Sequence, residues 1–241
     1  MKSTLSRLKS SLVVVAVWLA FGCAGGRAQN FDLGADFLIG LPQNEFRDNV
    51  DEEGYGFSGH FGYFLGDTPI MVGANVGYLN YGTERRREPF SETIPDVGVD
   101  VRTTNNILLL HGFARVQPQH GPVRPYAEGL WGFKYLFTRT SIIDDYFGET
   151  IASDTNFDDL AGSWGVGAGV DIRLWEPYQR SGRHDLAEIS LNLGATYLWG
   201  AEAEYLQKGS IQRDPDQGIT YLVSRSKTDM LLPRVGIRVR F

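Results

Sequence analysis

The chain ends LLPRVGIRVRF, residues 231–241. Apolar residues alternate through this ending with arginine or glycine, and a period of two is the period of a β-strand. Each face of such a strand carries one kind of residue. The apolar face carries Val235, Ile237, Val239 and Phe241, and the opposite face carries Arg234, Gly236, Arg238 and Arg240. The ending therefore predicts a strand that separates an apolar environment from one that accommodates cations.

Seven earlier segments alternate in the same way and predict seven more strands. Each is at least about 9–11 residues long, which is the length that a tilted strand needs to cross a bilayer. The eight predicted strands cover residues 31–41, 55–65, 70–81, 105–117, 123–137, 159–174, 187–201 and 231–241.

The connections between these strands alternate in length. The long, polar connections cover 42–53, 83–100, 139–157 and 205–225, and the shorter ones cover 66–69, 118–122 and 176–185. Long loops on one side and short turns on the other are typical of outer-membrane barrels. The predicted fold is all-β, an eight-stranded antiparallel up-and-down transmembrane β-barrel. Both of its ends lie on the short-turn, periplasmic side.

The N-terminal segment predicts export. Lys2, Arg7 and Lys9 precede an apolar run at 12–21, and small residues follow, which is the order of a secretory signal peptide. Cleavage after Ala28 leaves a barrel domain at 29–241. The sequence around Cys23 resembles a lipoprotein cleavage site, so lipidation of Cys23 is the alternative.

Composition excludes several classes of protein. The net charge of −6 becomes −10 once the four cations of residues 1–28 are removed, which argues against a nucleic-acid partner. No cysteine follows residue 28, so neither a disulfide framework nor a thiolate metal site is expected. No later segment approaches the roughly 20 continuous apolar residues of a transmembrane helix.

The polar face of the strands carries both signs of charge. A lysine or arginine that faced lipid would cost about 2–4 kcal/mol at the midplane, so these residues are predicted to form a charge network in the lumen. The predicted network comprises Asp32, Asp36, Arg115, Glu128, Lys134, Asp171, Arg173, Glu188, Arg234 and Arg238. A soluble, lipocalin-like barrel with its apolar face inward is the alternative.

Together, the signal peptide, the eight alternating strands, the loop pattern and the terminal Phe241 resemble the OmpA/OmpX-type outer-membrane β-barrel superfamily. The ending V-G-I-R-V-R-F is similar to the signal read by the barrel-assembly machinery, which makes Val235, Ile237, Val239 and Phe241 the expected assembly signal. The resemblance implies a Gram-negative cell outer membrane, with membrane lipids and lipopolysaccharide as partners. A monomer is expected. Such barrels host many functions, so the resemblance does not supply one.

Few residues suggest catalysis. Ser58 and His60 have the spacing of the His-x-Ser pair of lipid A deacylases, but the order is reversed and the predicted face is luminal. No metal-ligand spacing and no nucleotide motif occurs, so no metal site and no cofactor is expected. Arg85, Arg86 and Arg87 are interpreted as a solvated charge run, with anionic headgroups as the alternative partner.

The expected function is therefore a structural or surface-interaction role without catalysis, performed by a barrel whose lumen is filled by side chains. Two alternatives remain at this point. One is a narrow, porin-like pore or small-solute channel, and the other is a lipid-modifying outer-membrane enzyme.

Overall fold

The computed structural model describes residues 30–91, 94–143, 150–176, 188–214 and 218–241. These residues form ten strands and one short helix. The elements are β1 (Phe31–Pro42), α1 (Asn44–Asn49), β2 (Gly54–Phe64), β3 (Ile70–Ser91), β4 (Ile94–Val116), β5 (Val123–Ile143), β6 (Thr150–Trp175), β7 (Glu188–Gly200), β8 (Glu202–Asp214), β9 (Gly218–Lys227) and β10 (Met230–Arg240). The predicted signal peptide, with Cys23, lies outside the described residues.

Eight of the strands close a barrel. Strands β1 to β7 pair in chain order, and β10 closes the ring by pairing with both β7 and β1. At the seam, Phe31 and Phe241 exchange backbone hydrogen bonds of 3.0 and 3.1 Å. The predicted eight-stranded antiparallel barrel is confirmed. Because the ring is closed, the barrel has no unpaired strand edge, which a hydrocarbon environment would penalise.

The two faces of the barrel wall differ as predicted. Strand β2 alternates strictly between buried and exposed residues, and Phe57 on its outer face is 68% exposed. Trp131 and Val166 are also more than half exposed, whereas Asp171 and Lys134 are fully buried. Apolar side chains thus cover the outside and charged ones lie inside. The lipocalin-like alternative, which requires an apolar interior and a polar exterior, is wrong.

The long connections differ from their prediction as loops. Strands β3 and β4 stay paired well beyond the barrel, to Ser91 opposite Ile94, and β4 and β5 stay paired to Asp100 opposite Ile143. Segments 83–100 and 139–157 are therefore largely strand. Both faces of these extensions meet solvent, so their sequences lack the apolar alternation on which the prediction relied.

The predicted loop 205–225 is also largely strand. It contains most of the hairpin β8–β9, a separate two-stranded sheet. Among the described residues, no helix is long and apolar enough to span a bilayer.

The hairpin and α1 cover the outer end of the barrel. Phe46 of α1 is completely buried and packs edge-on against Tyr205 of β8, with ring centroids 5.1 Å apart. Its ring also lies 6.0 Å from that of Tyr81 on β3. The Tyr205 hydroxyl is hydrogen-bonded to Ser226 of β9 at 2.7 Å. This aromatic cluster fixes the hairpin over the barrel mouth.

The orientation of β10 generates a prediction. Ile237 is 43% exposed on the outer wall, whereas its neighbour Arg238 is 1% exposed. Ile237→Arg places a cation in lipid at a cost of about 2–4 kcal/mol near the midplane. We expect this variant to lose most of its folded, heat-modifiable band after refolding into liposomes.

Ile237→Val is the matched control and should fold like the wild type. Equal folding of Ile237→Arg and Ile237→Val would contradict the orientation of the strand.

Candidate functional site

Glu128 is the centre of an ion cluster in the short-turn half of the lumen. Its carboxylate accepts hydrogen bonds from Arg115 Nε and Nη2 at 2.9 and 2.6 Å, and a further one from Arg234 Nη2. Glu128 comes from β5, Arg115 from β4 and Arg234 from β10, and all three side chains are almost completely buried. One carboxylate therefore joins three strands across the bore.

Asp32 is the centre of a second cluster below the first. It lies 2.8 Å from His60 Nε2 and 3.4 Å from Arg240 Nε. Arg238 Nη1 lies 3.7 Å from Asp32 and 2.9 Å from His60. Arg238 Nε is 2.9 Å from Asp171, which ties the cluster to β6.

Tyr126 lies between the two clusters and contacts both. The guanidinium carbons of Arg115, Arg238 and Arg234 are 4.3, 5.2 and 5.7 Å from its ring centroid. Its hydroxyl donates to Asn192 at 2.8 Å and accepts from Arg234 at 3.1 Å. Cation–π attraction and hydrogen bonding thus hold three like charges in a narrow space.

Glycines provide the space for Tyr126. A Cβ atom at Gly169 would lie 2.4 Å from the Tyr126 hydroxyl, and one at Gly194 would lie 2.3 Å from it. Gly167 similarly faces Glu128, whose Oε1 would be 2.8 Å from a Cβ there. These strand glycines leave room for large side chains from neighbouring strands, which an eight-stranded bore could not otherwise contain.

Three other residues of the predicted network contact partners other than Glu128 and Asp32. Asp36 is buried and accepts a hydrogen bond from Asn192 at 2.6 Å. Glu188 pairs with Arg124, and its side chain is 17% exposed at the rim. Lys134 is buried but donates to the carbonyl oxygens of Leu198, at 3.4 Å, and Thr228, rather than to a carboxylate.

Arg173 is separate from the inner clusters. Its side chain is 27% exposed and pairs with Glu176, which is 58% exposed, at 2.7 Å. This contact is a short-range surface ion pair beyond the rim. Its strand position has the luminal phase, but it lies too close to the strand end for its side chain to reach the interior.

Several members of the clusters were absent from the predicted set, although all of them have the luminal phase of their strands. They are His60, Arg124, Tyr126 and Arg240. Sorting the strand residues into apolar and polar overlooks Tyr126, because an aromatic residue is then assigned to the lipid-facing side. Tyr126 lies two residues before Glu128 on β5, so the two side chains share a face. This spacing could have identified Tyr126 as a luminal residue.

The outer half of the lumen is mainly apolar, although the buried Lys134 also lies there. Leu109 and Ile107 of β4 both point inward and are almost completely buried. They belong to a cluster that also contains Leu38, Leu79, Leu130, Leu136, Leu198, Met230 and Leu232. The bore is therefore filled by ion pairs at one end and by packed aliphatic side chains at the other.

A cavity of about 20 Å³ lies at the boundary of these two halves. Ser58, His111 and Arg234 contribute polar atoms to its lining. A single water molecule needs roughly 10–15 Å³ on this scale, so the space does not accommodate a column of water or a solute.

The Ser58 and His60 side chains do not form a catalytic pair. His60 Nε2 lies within hydrogen-bond distance of Asp32 and of Arg238, and Ser58 Oγ has no hydrogen-bond partner among the described residues. Both residues face the closed lumen, where they are 6% and 5% exposed. Within the described part of the chain, no group of three or more His, Cys, Asp or Glu side chains is arranged to hold a metal ion.

Aromatic residues ring the outside of the barrel at two levels. At the outer level, Trp164 stacks on Trp199 with centroids 4.1 Å apart, and Phe137 contacts Tyr78 and Tyr135. At the short-turn level, the Phe31 ring lies 5.7 Å from that of Phe61 and 5.1 Å from that of Tyr63. Two aromatic girdles flanking an apolar band are the pattern of a barrel that spans a membrane.

This molecule is an eight-stranded transmembrane β-barrel. No family model matches the chain, and no curated protein matches it either. Solved structures share its architecture at low identity. Neisserial surface protein A is 15% identical, with a TM-score of 0.40 over 88% of this chain and 97% of that one.

Two further barrels are similar at the same level. Ail of Yersinia pestis, in complex with a heparin analogue, is 15% identical with a TM-score of 0.36, over 88% of this chain and 97% of that one. A major outer-membrane protein of Thermus thermophilus is 12% identical with a TM-score of 0.37, over 88% of this chain and 99% of that one. Nothing about function follows from similarity this distant.

The double pairing of Glu128 generates a prediction. Glu128→Gln keeps the shape of the side chain but leaves Arg115 and Arg234 buried without their counter-ion. Breaking a buried ion cluster in this way costs about 3–5 kcal/mol. We expect a clearly lower urea midpoint for unfolding of the barrel from liposomes.

Arg173→Gln is the control, because it removes a surface pair worth at most about 1 kcal/mol. Its urea midpoint should stay near that of the wild type. A Glu128→Gln midpoint as high as that of Arg173→Gln would show that the inner cluster contributes little to stability.

Proposed function

We propose that this protein has a structural or surface-interaction role in the outer membrane, and that it neither conducts solutes nor catalyses a reaction. In this proposal the chain is exported by its N-terminal signal peptide and functions as a monomer. Membrane lipids and lipopolysaccharide are its surroundings and partners. The barrel holds the extracellular strands and hairpin at a fixed height above the membrane.

The packing of the lumen is the observation that carries this proposal. A channel needs a continuous polar path, but the ion clusters at the short-turn end give way to buried leucines at the outer end. Phe46 and Tyr205 then cover the outer mouth. A catalytic site open to lipid is not supported by Ser58 and His60, because both lie inside the bore.

The extracellular part offers a surface for interaction. Strands β3 to β6 extend beyond the membrane, and a cleft of about 190 Å³ opens between the end of α1 and β8. Asp51, Glu52, Gln207 and Lys208 line the cleft, and Lys208 pairs with Glu52 at 2.5 Å. Polar walls of this kind suit contacts in water rather than contacts with lipid.

We further propose that Val235, Ile237, Val239 and Phe241 form the segment that the barrel-assembly machinery recognises. Their outward orientation on the closing strand supports this role. Phe241→Ala should slow assembly in cells more than it slows spontaneous refolding into liposomes. Equal effects in both settings would indicate a contribution to lipid contact alone.

Conductance measurement tests the filled lumen. Refolded wild-type protein in planar bilayers should give no stable conductance steps in molar salt, since the bore holds no water path. A wide-bore porin added to the same membrane serves as the positive control, and a heat-modifiability gel verifies folding of the sample. Reproducible steps of uniform size from the folded protein would contradict the proposal and favour the pore.

A further inference from the structure

Three arginines share the outward face of β3, β4 and β5 just beyond the outer aromatic girdle. Arg85 on β3 is the register partner of Arg102 on β4. Arg102 is in turn the partner of Ser141 on β5, two residues from Arg139. Side chains two residues apart on a strand share a face, so the three arginines form one cationic stripe across three strands.

A bulge in β3 determines that Arg85 belongs to this stripe. The register shifts between Asn80 and Gly82, so the residues after the bulge change faces. Without the bulge, Glu84 would point outward and Arg85 inward. Bulges of this kind redirect side chains at the rim of a barrel.

The stripe lies at the height of lipid headgroups. Arg139 is two residues beyond Phe137, and Arg102 is four residues beyond Asn106, the register partner of Phe137. At about 3.3 Å per residue and a tilt of about 40°, these positions are roughly 5 and 10 Å above the girdle. Headgroups occupy about 5–8 Å on each side of the hydrocarbon core, within reach of both side chains.

Within the described residues, no acidic side chain neutralises the charges of the stripe. With respect to the described residues, neither Arg85 nor Arg102 forms an ion pair, and Arg102 Nε is buried without a hydrogen-bond partner. Arg139 donates to the neutral Ser153 hydroxyl at 2.6 Å. Like charges directly opposite each other on neighbouring strands are destabilising. An anion between them would remove that repulsion.

Among the described residues, two acids share this face without cancelling the stripe. Asp158 is the register partner of Phe137 and accepts a hydrogen bond from Tyr135 at 3.0 Å. Asp100 is two residues beyond Arg102, farther from the membrane, and its register partner on β3 is Arg87. In the layer between the levels of Asp158 and Asp100, the three arginines therefore outnumber the acids.

We propose that Arg85, Arg102 and Arg139 bind the phosphate groups of a phosphorylated outer-leaflet glycolipid, the chemistry of lipopolysaccharide. The guanidinium fork suits phosphate oxygens, and the outward direction of the stripe faces lipid rather than the covered barrel mouth. This inference rests on the proposed outer-membrane role, to which it adds a defined lipid site.

Binding to defined lipids tests the proposal. The refolded full chain in detergent is titrated with lipid A carrying both phosphates and with the dephosphorylated form, and bound lipid is counted by native mass spectrometry. The wild type should prefer the phosphorylated form by about tenfold or more, as charge-assisted hydrogen bonds to several arginines predict. R85Q/R102Q/R139Q should reduce this preference to within about twofold.

R47Q/R225Q/K227Q is the matched control, since it removes three exposed cations from α1 and the β8–β9 hairpin, away from the stripe. It should keep the wild-type preference. A wild type that binds both lipids equally overturns the proposal, as does a folded R85Q/R102Q/R139Q variant that retains the preference. Displacement of lipid A by a soluble sulfated oligosaccharide at equal concentration also overturns it, because the site would then be one for soluble anions.

The two lipids are compared on the wild type itself, so the test stands even if the triple variant folds poorly. A heat-modifiability gel monitors folding of each variant. Conductance by the wild type would overturn the proposed function, whereas a folded, non-conducting barrel without phosphate preference would overturn this inference alone.

Discussion

Burial of charge in a closed ring of strands is the constraint on which this structure depends. A membrane-spanning wall of this size must turn its ionisable residues inward, and an eight-stranded bore leaves them no bulk water. Each buried carboxylate therefore needs partners from other strands. Glu128 joins β4, β5 and β10, while Asp32 and Asp171 join β1, β2, β6 and β10. The ion pairs thus fasten the closing strand to the wall on both sides.

This constraint explains why the interior has two halves. Ion clusters require glycines on facing strands to make room, as Gly169 and Gly194 do for Tyr126. In the outer half the same narrow bore is filled by leucine and isoleucine, which need no partners. The apolar half also separates the ion clusters from the cleft beside α1. In the proposed function, this filled lumen is the rigid support for the extended strands and the hairpin.

Much of the barrel could be predicted from the sequence because lipid on one side and charge on the other impose a strict period of two. Where that contrast ends, prediction failed. The extensions of β3 to β6 and the hairpin β8–β9 meet water on both faces, so no apolar period marks them. Inside the bore, Ile107 and Leu109 depart from strict alternation because a filled lumen accepts apolar residues as well as charged ones.

The predicted charge network was incomplete for a related reason. The alternation along a strand indicates which residues face inward, but not which partner each side chain contacts. Lys134 reaches carbonyl oxygens and Arg173 reaches a rim glutamate, whereas Tyr126 links both clusters. Those outcomes depend on the stagger of neighbouring strands, which alternation within one strand does not encode.

The orientation of the wall can be measured directly on β5. The sequence after residue 28 has no cysteine, so single cysteines introduced at Leu130, Trp131, Phe133 and Lys134 in the chain from residue 29 onward can each carry one spin label. In liposomes, collision with dissolved oxygen should be frequent at positions 131 and 133, and rare at 130 and 134. Equal collision rates at all four positions, or the reverse pattern, would contradict the account.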